Sequence, residues 1–195
     1  METQRSIVTP ERFASGFTFK DYTSQINVNK DRFEEYYKTG QLLPRDAEFF
    51  RKAAELPNGL SRMLVVCEDW CPDAFRGVPV MAHVAEASGA EMRIFPRDKN
   101  LDIMNEFLNE GKYQSIPTCV FYTKDLKYIA HWIERPALAN EERIRIEAEI
   151  KKQMPAATEQ EMRLVIRERT QTRYPTWQQA TIQEMRKLLA SKLGI

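Results

Sequence analysis

Reactive chemistry in this chain concentrates in the run Trp70-Cys71-Pro72-Asp73-Ala74. An apolar strand-like stretch, Met63-Leu64-Val65-Val66, precedes it, and a helix-like stretch follows. A cysteine at such a strand-to-helix switch has a helix N-terminus at its sulfur. The positive end of the helix favours the thiolate, the form that attacks a disulfide. Thiols so placed have pKa values of roughly 3.5–7.5. The neighbouring Asp73 carboxylate opposes ionisation, which sets the expectation for Cys71 at the upper end of that range. A redox dithiol would carry its second sulfur where this chain has Ala74. One thiol is therefore available at the turn, and a mixed disulfide formed there needs an outside thiol to release it.

The other candidates carry two readings each. Cys67 and Cys119 are secondary thiols that could resolve or bridge, or small buried apolar residues, which is how free cysteines are most often used. A Cys67–Cys119 bridge requires Cα atoms closer than about 7 Å. Asp73 reads as a carboxylate that stabilises a helix start or as a group that tunes Cys71. His83 and His131 read as packed or surface residues rather than catalytic bases. They lie far from the cysteines in sequence, with no metal-ligand spacing, so neither a metal nor another cofactor is expected. Arg163, Arg167, Arg169 and Arg173 form a basic stretch, but Glu159, Glu161 and Glu168 interleave with it, as on a solvated helix face.

Composition narrows the field. The chain has 195 residues, 43% hydrophobic and 29% charged, and a net charge of +1 with both signs interleaved. Nothing in that balance points to a nucleic-acid partner. No apolar run approaches bilayer length, and the N-terminus lacks a basic start followed by an apolar segment, so a cytoplasmic protein without membrane contact is expected. Three cysteines are too few and odd for a disulfide framework, consistent with a reducing compartment.

The elements that must position Cys71 follow from pattern. Residues 1–20 show weak periodicity and read as an extended arm. Asn29 is placed to cap a short helix through Tyr37 that ends at Gly40, and a second helix is expected over 46–55. Residues 62–67 read as a buried strand, because apolar and β-branched residues run on without alternation. Pro72 suits a first helical turn, and the helix runs to Ser88-Gly89 with a kink at Pro79. Residues 91–95 form a second strand. Residues 100–109 read as a helix with Leu101, Met104, Phe107 and Leu108 facing inward, ended by Gly111. Residues 118–122 and 126–132 form a hairpin around Lys124-Asp125. Helices over 138–153, 158–170 and 176–193 complete the chain. The last carries Ile182, Met185, Leu189 and Leu193 in one stripe, which can pack on the domain or contact a second copy. The order β-α-β-α-β-β-α implies an α/β fold, a mixed sheet covered by helices on both faces.

This order and these residues together resemble the thioredoxin family. Trp70-Cys71 matches the start of its W-C-x-x-C motif, and Pro79 its helix-kinking proline. Asp98 and Asn100 match a D-x-N, and Ser115-Ile116-Pro117-Thr118 its G-I-P-T segment with a cis proline. The likeness spans about residues 60–152 and is nearest to bacterial thioredoxin-like proteins with W-C-x-D at the site. It implies a thioredoxin-fold core over 60–153, with an N-terminal arm and helices over 1–59 and a helical extension over 154–195 in one globular domain. It also implies thiol–disulfide exchange with protein or small-molecule thiols as partners. Cys71 would be the nucleophile, Trp70, Pro72 and Asp73 would support it, and the Ile116-Pro117 backbone would orient an extended peptide. Three positions depart from the pattern. Ala74 replaces the second cysteine, Val65 stands at the buried aspartate, and Ile94 falls about where its lysine partner would be. Those losses also suit a peptide-binding or chaperone-like module without redox activity.

Overall fold

The computed structural model describes residues 6–195. Its sheet has four strands, β1 (Arg62–Cys67), β2 (Glu91–Pro96), β3 (Thr118–Tyr122) and β4 (Tyr128–Ile133), in the order β2-β1-β3-β4. β1 runs parallel to β2 and antiparallel to β3, and β3 runs antiparallel to β4. Successive residues of β1 point to opposite faces. Met63 and Val65 on one face and Leu64 and Val66 on the other are all fully buried. Both faces are therefore covered, which explains why the sequence of this strand does not alternate.

Between β1 and β2 runs α5 (Pro72–Ser88), preceded in the chain by α1 (Pro10–Ala14), α2 (Phe19–Gln25), α3 (Lys30–Thr39) and α4 (Pro44–Glu55). After β2 come a 3-10 turn at Arg97–Lys99 and the short α6 (Leu101–Met104). The hairpin of β3 and β4 leads to α7 (Ala137–Gln153), α8 (Glu159–Gln171) and α9 (Tyr174–Leu193). Helix α8 begins in a reciprocal capping box between Thr158 and Glu161. The apolar stripe of α9 is spent inside the chain, with Ile182, Met185 and Leu189 fully buried. Glu184 on the same helix accepts from the Trp132 indole N–H at 2.9 Å and from the Ala137 N–H at 2.7 Å. One carboxylate thus ties α9 to β4 and to the start of α7.

Three expectations need correction. The segment read as an extended arm holds α1 and the first residues of α2, because Thr9 and Thr18 each cap a helix start through their hydroxyls. Phe13 and Tyr22 then anchor those helices in the core. Residues 1–5 of the arm lie outside the described residues. Between the two helices, Phe17 exchanges backbone hydrogen bonds with Ile94 at 2.9 and 2.7 Å, adding a bridge at the β2 edge. Asn29 does not cap α3 through its side chain. It adopts a left-handed conformation, φ +56°, and its amide donates to the Asp69 carbonyl at 2.9 Å.

The third correction is the helix expected over 100–109, which stops at Met104. Beyond it the chain turns, and the side chains of Asn105 and Asn109 bond Gln114 and Ser115 instead of lying along a helix face. Leu101 is exposed and Ile103 takes the inward place beside Met104 and Phe107.

Candidate functional site

The site forms where β1 ends and α5 begins. Cys71 takes the N-cap position of α5, and Pro72 occupies the first turn, where a missing N–H costs nothing. The backbone N–H groups of Ala74 and Phe75 turn back to the Cys71 carbonyl at 3.0 and 3.3 Å, closing the first turn. Opposite lies the segment before β3, in which the Ile116–Pro117 peptide bond is cis. The Cys71 thiol donates to the Ile116 carbonyl at 3.5 Å. Helix α5 passes close to this segment, so a β-carbon on Gly77 would lie 3.4 Å from Pro117 Cγ. Trp70, by contrast, is 48% exposed and carries the Arg97 guanidinium 5.1 Å from its ring centroid.

The electrostatics of the sulfur differ from the sequence expectation. Burial pushes the Cys71 thiol above its ordinary value, against the Ala74 N–H and the charges of Arg76 and Arg135, which pull it down. Only 7% of the residue is exposed, and the desolvation of the thiolate outweighs the helix end. The acid that opposes ionisation is Glu134 rather than Asp73.

Asp73 is instead neutralised in a buried ion cluster. It pairs with Arg76 one turn along α5 and with Arg135 at 2.9 Å. Arg135 also pairs with Glu134, whose N–H donates to the Pro117 carbonyl at 2.7 Å. The cis-proline segment therefore holds the residues that bring Arg135 to Asp73. Arg76, as buried as Asp73, lies over the rings of Tyr174 and Trp177, 4.6 and 4.9 Å from their centroids. Burial pulls this guanidinium down to about 10, and the charges of Arg135 and Arg143 act in the same direction. The Asp73–Arg76 pairing was readable from its i,i+3 spacing. Arg135 and the two aromatics carried no such local signal, because tertiary packing brings them in.

The remaining thiols sit in the sheet. Cys67 and Cys119 are free and fully buried, and burial drives both far above the ordinary thiol range. Cys119 stands opposite Val65 in the antiparallel register, which makes Cys67 its diagonal neighbour on the same face. Diagonal Cα atoms lie about 7–8 Å apart, at or past the limit for a bridge. Val65 and Ile94 face each other across β1 and β2, both fully buried, so an apolar pair fills the place of the acid and lysine. Asn100 fixes the turn after β2 by donating to the Pro96 carbonyl at 2.7 Å and accepting from Arg12 at 2.8 Å. Asp98 pairs with Arg97 at the surface.

Neither histidine reaches the sulfur. The His83 ring contacts the Tyr37 carbonyl at 2.7 Å and Glu86 at 3.1 Å, and His131 lies 2.6 Å from the Tyr128 hydroxyl. Among the described residues no cluster of His, Cys, Asp and Glu could hold a metal ion, and no helix is long and apolar enough to cross a membrane.

Two solved structures share this architecture. One is the crystal structure of a protein of unknown function from Pseudomonas aeruginosa, 12% identical, with a TM-score of 0.65 over 95% of this chain and 99% of that one. The other is an HIV epitope-scaffold, 14% identical, with a TM-score of 0.65 over 96% of this chain and 99% of the scaffold. At such identities the likeness establishes the fold. No curated protein sequence matches the chain. A thioredoxin family model, however, matches residues 16–151, more than half of the chain and all of the sheet. The chain belongs to the thioredoxin family.

Proposed function

We propose that the protein carries out monothiol thiol–disulfide exchange, with Cys71 as the nucleophile and an external thiol as the resolver. The observation that carries this reading is the placement of the Cys71 sulfur at the first turn of α5, facing the Ile116 carbonyl, with Ala74 where a second sulfur would stand. The Cys71 thiolate attacks one sulfur of a substrate disulfide, forming a mixed disulfide and expelling the other sulfur as a thiolate. A second thiolate, from a small-molecule or protein thiol of a reducing cytoplasm, then attacks the substrate sulfur of that bond. Cys71 leaves as thiolate and the substrate carries the new disulfide, so no net oxidant or reductant is needed beyond the two partners. Exposed Trp70 and the backbone at Ile116-Pro117 supply the surface on which an extended substrate lies.

The test is the pH dependence of mixed-disulfide formation with glutathione disulfide, followed by intact mass. Because the thiol is raised above its ordinary value, its thiolate fraction climbs about tenfold per pH unit below the pKa. The expected rate rises across pH 6–8 in step, and Cys71→Ser abolishes the adduct. Absence of adduct at any pH up to 9 overturns the reading. That outcome favours a second one, a peptide-binding module without redox chemistry. Its specific support is the same burial of the sulfur, together with the apolar Val65–Ile94 pair.

A further inference from the structure

The basic stretch of α8 reads in sequence as a solvated face, yet with α7 this helix borders a cleft of about 420 Å³ against α5 and α9. Four arginines from three helices line it: Arg76 of α5, Arg143 of α7, and Arg163 and Arg167 of α8. Glu147 is the sole acid in the wall, and its carboxylate reaches Arg143 only at 4.0 Å. Arg163 meets Glu159 at 3.4 Å on the open, solvent side. Arg167 makes no ion pair among the described residues. Arg76 has Asp73, but Asp73 also serves Arg135. The cleft thus holds more positive than negative charge, in a partly desolvated space floored by the buried rings of Tyr174 and Trp177.

Helix α8 sorts its charges in the process. Arg163 and Arg167, four apart, both border the cleft from its exposed rim, whereas Glu159, Glu161 and Glu168 are absent from its wall. Burial pulls Arg143 below its ordinary value and the charge of Arg135 adds to the fall, while the charge of Arg143 in turn lowers Arg76 across the cleft. An anion would relieve that repulsion, and guanidinium groups bind carboxylate and phosphate oxygens in paired hydrogen bonds.

We propose that this cleft is a binding site for a small molecule bearing two or more carboxylate or phosphate groups. The volume suits a small ligand, and Pro72, adjacent to Cys71, forms part of the rim. The site stands independently of the thiol chemistry proposed above.

Calorimetric titration of the full chain in the Cys71→Ser background, which removes thiol chemistry from the readout, tests it with citrate and with pyrophosphate. Saturable one-to-one binding of either supports the site, and the better ligand tells carboxylate from phosphate preference. Arg143→Gln and Arg167→Gln are each expected to weaken binding about tenfold, the loss of one charge-assisted contact. Arg169→Gln, which removes a charge from the same helix outside the cleft, leaves affinity unchanged. No saturable binding of either anion, or an equal loss in Arg169→Gln, overturns the proposal; circular dichroism of each variant confirms that it is folded.

Discussion

The middle of the sheet and the first turn of α5 both bury cysteine, and they treat it differently. In the sheet, Cys119 meets desolvation alone, and at Cys67 a hydrogen bond from the Tyr22 hydroxyl opposes the rise while Glu68 and Asp69 add to it. At the helix start, Cys71 is almost as buried, but an amide N–H and two guanidinium groups partly offset the desolvation. Burial alone therefore does not decide whether a thiol is inert. What distinguishes Cys71 is the positive charge of two nearby guanidinium groups, together with a helix N–H, which favours its thiolate.

The largest expected effect breaks or upholds that distinction directly. Iodoacetamide should modify Cys71 in the native protein, whereas Cys67 and Cys119 should react only when the sheet opens. Opening a core strand costs several kcal/mol, so the strand thiols should lag by about a thousandfold. Peptide mapping after timed labelling reads this out. Comparable rates at all three cysteines would erase the difference between the two regions.

A second test removes what holds the charged half of the site together. Asp73→Ala leaves Arg76 buried without its carboxylate and should lower the unfolding free energy by about 3 kcal/mol. The low end of the range for a broken buried pair applies because Arg76 keeps its contacts with Tyr174 and Trp177. Urea denaturation measures the loss, and a change under about 1 kcal/mol would show that the cluster behaves as a surface pair.

Much of this architecture was legible beforehand, and the reason is local. The continuous apolar run at β1, the proline opening α5 and the hairpin turn each reflect short-range chemistry, and each element formed within a few residues of its expected bounds. The misses came where side chains act at long range or compete with helix. Asn105 and Asn109 diverted the segment after α6 into turns. In sequence Asp73 has the thiol for its neighbour, but its partner Arg135 arrives from beyond β4. The approach of the Ile116-Pro117 segment to Cys71 was legible only through family resemblance. The rise in the Cys71 thiol was not, because burial depends on how closely α5 and the Ile116 segment approach.

The smallest predicted effect is also the most specific to the helix-end environment. Arg135 favours the Cys71 thiolate and Glu134 opposes it, and the two are neighbours that pair with each other. Arg135→Gln should therefore raise the thiol further and slow its alkylation at pH 7 about two- to threefold, the scale of one partly screened charge. Glu134→Gln should shift the rate profile toward lower pH and speed alkylation by a similar factor. The doubly substituted protein should fall near the original, since both charges are gone. Cys67 and Cys119, labelled in the same samples, report any general loosening of the fold, because loosening would accelerate all three thiols together. Opposite shifts at Cys71 with no change in the strand thiols identify electrostatics as the cause. Shifts of the same sign in both variants would mean that the local backbone, which carries Glu134 at φ +65° and bonds its N–H to Pro117, had moved instead.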